Sequence, residues 1–168
     1  MAKQQKSLYM TVLMTPDMAN FSGVVHGGAL LKLLDQVAYS CAARYSQSYV
    51  VTLFLDQVHF KEPIHVGELV TFRANVNYVG TTSMEVGVKV VAENLQTQNS
   101  RHTNSCYFTM VAKDEDGKTK ELPALEITSE VEEKLFQAAQ MRTTLRKEIM
   151  EKNQKLHVDG LDEERPWL

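Results

Sequence analysis

HGGALLKLLDQVAYSCAARY, residues 26–45, sets the architecture of this chain. After His26-Gly27-Gly28, the apolar residues Leu30, Leu33, Leu34, Val37, Ala38 and Cys41 recur at helical spacing and fall on one face. The spacing predicts a helix of about five turns that ends between Arg44 and Ser48. No other long apolar helix is readable in the first 125 residues, so this one has to be buried.

Working outward, residues 7–14 (SLYMTVLM) read as a first strand, and Pro16, Asp17, Asn20, Ser22 and Gly23 as the loop leading to the helix. Beyond the helix the period changes to two. Val70, Phe72, Ala74, Val76 and Tyr78 alternate with Thr71, Arg73, Asn75 and Asn77, and Met84, Val86, Val88, Val90 and Ala92 alternate with Glu85, Gly87 and Lys89. Cys106, Phe108, Met110 and Ala112 repeat the theme. Such alternation predicts antiparallel strands with one covered and one polar face. Gly80-Thr81 marks a tight hairpin and Asn94 to Ser100 a looser one. Tyr49 to Phe60 is apolar on both faces, which predicts a central strand. The order β–α–β–β–β–β is an α+β chain in which a curved antiparallel sheet wraps one long central helix.

The charge divides the chain in two. Residues 1–125 carry 11 basic and 11 acidic groups, whereas residues 126–168 carry 7 and 10 and supply the whole net charge of -3. We therefore expect a neutral domain over 1–125 and a C-terminal helical extension over 126–168, its helix opened by the capping-box-like Ser129-Glu130-Val131-Glu132. Leu135, Ala138, Ala139 and Met141 give that helix a thin apolar stripe, and the charged residues after about Leu156 are expected to be mobile. A balanced charge disfavours nucleic acid as a partner. No apolar run approaches 18 residues and MAKQQKSLYM has no apolar leader, so neither membrane insertion nor secretion is expected. Two cysteines, Cys41 and Cys106, fit a reducing compartment, and the expected location is the cytoplasm.

Several common catalytic motifs are missing: G-x-S-x-G, the P-loop, G-x-G-x-x-G, H-E-x-x-H and C-x-x-C. His26, His59, His65, His102 and His157 lack ligand spacing, so no metal is expected, and both cysteines lie on apolar faces as packing. The helix start stands out. Gly27 and Gly28 place two residues without side chains where backbone N–H groups have no helical partner, an end suited to a developing oxyanion. Glycines that simply let the loop turn are the competing reading. Asp35 interrupts the apolar run about two turns on, at the edge of the stripe, where a half-buried carboxylate is costly without a purpose. A solvated aspartate beside Lys32 and Gln36 is the plain alternative; a general base or nucleophile is the functional one.

PDMANFSGVVHGGALLKLLDQVAYSCAARY resembles the active-site segment of hotdog-fold acyl-CoA thioesterases of the brain acyl-CoA hydrolase type, in the single-hotdog bacterial form. VHFKEPIHVGELV, NYVGTTSMEVGVKV and RHTNSCYFTMVA follow in the same order, so the resemblance spans roughly residues 7–127. It implies a hotdog fold and hydrolysis of acyl-CoA to free acid and CoA. It implies a catalytic pair of Asn20 from one subunit and Asp35 from the other, with the Gly27 N–H, joined by Gly28, on the oxyanion. It places CoA near Gly80, Thr81, Thr82 and Ser83, and a dimer as the minimal unit within a trimer of dimers. Lys61, Arg73, and Arg142 with Arg146 one turn apart in the extension, are the candidate cations for CoA phosphates. No cofactor is expected, since CoA is part of the substrate and the thiolate leaves without help. The rivals are a hydratase or dehydratase of the same fold using His26, and an acyl-CoA sensor without catalysis.

Overall fold

The computed structural model describes residues 4–156. In chain order these form β1 (Ser7–Leu13), α1 (Gly27–Ser46), β2 (Tyr49–Leu55), β3 (Leu69–Val79), β4 (Ser83–Glu93), β5 (Ser100–Lys113) and α2 (Glu130–Lys155), with one 3-10 turn at Pro16–Met18. They fall into two compact units, one running to Glu126 and one beginning at Ile127. The charged stretch read as mobile lies almost wholly outside the described residues.

All five strands join one antiparallel sheet in the order β1-β3-β4-β5-β2, and α1 packs against every one of them. This is the antiparallel sheet around one long helix that the switch from helical to alternating period predicts, and the hotdog fold that the resemblance implies. The apolar stripe of α1 (Leu30, Leu34, Val37, Ala38 and Cys41) forms one core with the alternate residues of β3, β4 and β5, among them Phe72, Val86 and Phe108. Burying a side chain such as Leu34 or Phe72 this completely is worth about 1.5–3 kcal/mol each, so the stripe fixes which face of α1 turns inward. The helix stops where Gln47 turns left-handed (φ 49°) and donates its N–H to Ala43 O. Burial pushes the thiols of Cys41 and Cys106 up to about 12, which leaves both as inert packing.

Three expectations are corrected. The run from Tyr49 is an edge strand that ends at Leu55, not a central strand reaching Phe60. Val50 enters the core, while Tyr49, Leu53 and Leu55 stand 60%, 54% and 41% exposed among the described residues. The outward face of the sheet is not simply wet either. Asn77 and Glu85 are buried there, and Asn75 Nδ2 donates to Asn77 Oδ1 (3.0 Å) while Asn77 Nδ2 donates to Glu85 Oε1 (3.3 Å). Gly87 makes room for this chain, since a Cβ there would lie 2.4 Å from Asn77 Nδ2. In the second unit, Ser129 caps α2 by accepting from Glu132 N (3.2 Å), but only Ala139 of its expected stripe is fully buried. Met141, two residues or about 200° further round the helix, is exposed.

The connection from β2 to β3 is irregular, and an ion pair holds it. Arg101 at the start of β5 bonds to Glu68, holding that carboxyl below the glutamate value of 4.5. A lowered value stabilises the fold above about pH 4.5 and stops doing so as the pH falls through it. Glu68→Gln is therefore expected to lower Tm at neutral pH, with the gap to the parent protein closing below about pH 4.5. Thermal denaturation followed between neutral pH and about pH 3 checks this; a gap independent of pH would contradict it.

Candidate active site

The site begins at the entry to α1. His26 is the N-cap, in extended conformation (φ -65°, ψ 133°), and its Nδ1 accepts from Gly28 N (2.9 Å). That bond fixes the ring tautomer, with the proton on Nε2, and it occupies the Gly28 N–H. Of the two glycines, Gly27 keeps its N–H free of a partner among the described residues. A Cβ at Gly27 would lie 3.8 Å from the Phe60 ring, and the two residues line a cavity of about 350 Å³ together with Leu30, Lys61 and Ile64.

The loop before the helix is built around Asn20. Its backbone N–H donates to Val24 O (2.7 Å), and its side-chain Oδ1 accepts from Ser22 N (2.8 Å) and Val24 N (3.3 Å). Gly23 supplies the positive φ of 77° that closes the turn. With Oδ1 engaged, what Asn20 can offer a ligand is the pair of N–H donors on Nδ2. Phe21, next to it, is fully exposed.

Asp35 lies on the outward side of α1 and is exposed in this chain, not half-buried as its helical phase suggested. It is not merely solvated, because Thr52 Oγ1 donates to its Oδ1 at 2.7 Å. The bond ties the carboxylate to β2 through Oδ1, and Oδ2 has no hydrogen-bond partner among the described residues. Thr52 escapes sequence reasoning. It sits in YVVTLFL, where a threonine is an ordinary strand former, and its partner is on a different element.

The other candidates fall into separate groups. Lys61 N donates to Thr103 O (3.2 Å), which places Lys61 with Gly27 at the N-terminal end of α1. Gly80, Thr81, Thr82 and Ser83 form the β3–β4 turn, closed by Gly80 N to Ser83 O (2.8 Å) and pinned by Ala112 N to Thr82 O and Leu122 N to Thr81 O. Ser83 pairs with Val111, which pairs with Val51, so this turn lies at the Thr52 end of the sheet. From Thr103 to Val111 is eight residues of β5, about 26 Å, so Lys61 and the turn are at opposite ends of one chain's sheet. Gly27 and Asp35 are eight helical residues apart, about 12 Å. Arg73 faces the Tyr9 ring at 6.0 Å, and Arg142 and Arg146 share one half-buried face of α2. Among the described residues no cluster of His, Cys, Asp and Glu is arranged to hold a metal, and no helix is long and apolar enough to cross a membrane.

Residues 22–98 match the family described as the thioesterase superfamily. Protein VdlD of Helicobacter pylori is 52% identical over 139 residues, which are 83% of this chain and 79% of that protein. An apo-hexameric acyl-CoA thioesterase of known structure is 36% identical, with a TM-score of 0.83 over 86% of this chain and 92% of that one. The acyl-CoA hydrolase from Staphylococcus aureus, solved with butyryl coenzyme A, coenzyme A and coenzyme A disulfide, is 29% identical, with a TM-score of 0.82 over 92% of this chain and 94% of that one. The same S. aureus protein has been solved with an asparagine, an aspartate and a threonine each replaced by alanine, the three lying 15 and then 17 residues apart.

Proposed function

The chain belongs to the thioesterase superfamily, and from that premise we propose that it is an acyl-CoA thioesterase releasing a free carboxylic acid and CoA. The observation that carries the reading is the Asp35–Thr52 hydrogen bond of 2.7 Å. Asn20, Asp35 and Thr52 are spaced 15 and 17 residues apart, the spacing of the three residues replaced in the S. aureus hydrolase. A carboxylate with one oxygen held and one open is what general-base work on a water requires.

In the reaction we propose, Asp35 Oδ2 takes a proton from water as the water oxygen attacks the thioester carbonyl. The carbonyl oxygen becomes the oxyanion of a tetrahedral intermediate and is received by the Gly27 N–H at the positive end of α1. Collapse breaks the C–S bond; the CoA thiolate leaves and recovers a proton, and the acid ionises. A thiol of pKa about 8–9 leaves readily, so neither metal nor strong acid is needed. Asn20 orients the water or the carbonyl through Nδ2. Thr52→Ala is expected to lower kcat about tenfold by freeing the carboxylate, with Thr52→Ser restoring most of it. Steady-state kinetics on both variants checks this, and an unchanged kcat in Thr52→Ala would contradict it.

The assembly we propose is a dimer joined through the β2 edges, three such dimers making a hexamer. An unpaired strand edge flanked by exposed Tyr49, Leu53 and Leu55 supports that joint. In this reading one CoA is shared between Lys61 of one chain and the Gly80–Ser83 turn of its partner, groups that lie at opposite ends of one chain's sheet. Arg142 and Arg146 remain our candidates for the remaining phosphate charge. Two buried free thiols support a cytoplasmic setting. The test is release of free thiol from a panel of acyl-CoAs, acetyl to palmitoyl. Turnover of at least one is expected, and tight binding without thiol release would overturn the assignment in favour of a sensor.

A further inference from the structure

Arg101 and Glu68 lie 33 residues apart, at the starts of β5 and β3, and neither belongs to the catalytic group. We propose that they are positioning residues for the thioesterase reaction, clamping the loop that fixes both Asn20 and Gly27. The inference rests on the thioesterase reading above.

The clamp is a two-sided fork. Arg101 Nη1 donates to Glu68 Oε1 (2.6 Å), and Nη2 donates to Glu68 Oε2 (2.8 Å) and to Pro63 O. Glu68 Oε2 also accepts from His65 N (2.8 Å), while Glu68 N donates to His65 O (3.2 Å). Residues 63–68 are thereby closed into a rigid turn. Planar, bidentate geometry of this kind is specific to arginine, since an ammonium offers no matched fork.

What the turn holds is the floor of the site. Val25 N donates to Ile64 O (2.8 Å), and Val24 bridges to His65. Val24 in turn receives the Asn20 N–H on its carbonyl and gives its own N–H to Asn20 Oδ1. One residue past Val25, His26 N donates to Met18 O (2.7 Å), and the helix begins at Gly27. Hydrogen bonds joined by short stretches of backbone therefore lead from Arg101 to Asn20 and to the start of α1 at Gly27. The same turn carries Pro63 and Ile64 of the cavity wall. Because small misplacements of such groups cost rate more than binding, the clamp should act on kcat.

The test combines kinetics with hydrogen exchange in the intact oligomer. Arg101→Lys and Arg101→Ala are expected to lower kcat about tenfold or more, with KM within about threefold. Amide exchange over residues 19–28 should accelerate about tenfold while the centres of β3, β4 and β5 keep their protection. Exchanging the charges, Glu68→Arg with Arg101→Glu, restores an ion pair but not the bonds to Pro63 O and His65 N, so it should stay as slow as the single variants. Wild-type kcat and wild-type exchange in Arg101→Lys, or recovery of both on charge exchange, would overturn the proposal. A parent protein that releases no thiol would instead sink the thioesterase reading, and the exchange measurement would still decide whether the clamp holds the loop.

Discussion

Replacing Asp35 by alanine is expected to reduce acyl-CoA turnover by about a factor of 10²–10⁴, the range a positioned general base supplies. The structure makes this the largest single effect. Asp35 is exposed on α1 and, among the described residues, anchored only through Thr52, so its removal opens no cavity in the core. The helix should even gain slightly, since alanine is the better helix former by a few tenths of a kcal/mol. Loss of rate at unchanged or raised Tm is therefore the expected signature, and it separates a chemical role from a structural one. Asp35→Asn sharpens the test. Asparagine keeps an acceptor for Thr52 Oγ1 but cannot take a proton, so it should be nearly as slow as alanine. If Asp35→Asn turned over like the parent protein, the base would have to be another group. Should Asp35 attack directly, an acyl–Asp35 anhydride would form, and hydroxylamine would capture it during turnover.

The parts of the molecule that were legible in the sequence are those whose cause is local. Leu30, Leu34, Val37 and Cys41 announce α1 because burial on one helical face imposes a period of 3.6, and Val86, Val88 and Val90 with their alternating partners announce β4 through a period of two. Ser129 and Glu132 mark the start of α2 because a cap is satisfied within four residues. Asp35 stands out as a charge in an apolar run. The features that stayed hidden are made by distant partners. Thr52 acquires meaning only from a carboxylate 17 residues earlier on another element, and Arg101 only from Glu68 and Pro63. Glu85 and Asn77 look like solvated alternation until their mutual hydrogen bonding is seen. The edge position of β2 misleads for a different reason: Tyr49, Leu53 and Leu55 are apolar as in a core strand, yet the described residues leave them exposed. An apolar run carries no mark in the sequence of whether it lies at the centre or the edge of its sheet.

That reasoning leads to the second large effect. Asn20→Ala should lower kcat about 10²-fold by removing an N–H donor from the developing charge, and the more telling result is what happens when it is mixed with Asp35→Ala. In one chain Asn20 sits in the loop before Gly27, whereas Asp35 lies about 12 Å further along α1. Phe21, fully exposed beside Asn20, gives that loop an apolar tip. If Asn20 of one subunit serves Asp35 of the other, a mixed dimer has one doubly altered site and one intact site. Random reassortment makes about half the dimers mixed, so about a quarter of all sites, and of wild-type activity, should return. If both residues served the same chain, every site in every mixture would lack one of them and no activity would return. Subunits denatured together, refolded and assayed for thiol release against each variant refolded alone provide the measurement. Recovery toward a quarter supports the shared site, and activity fixed at the level of the separate variants would eliminate it.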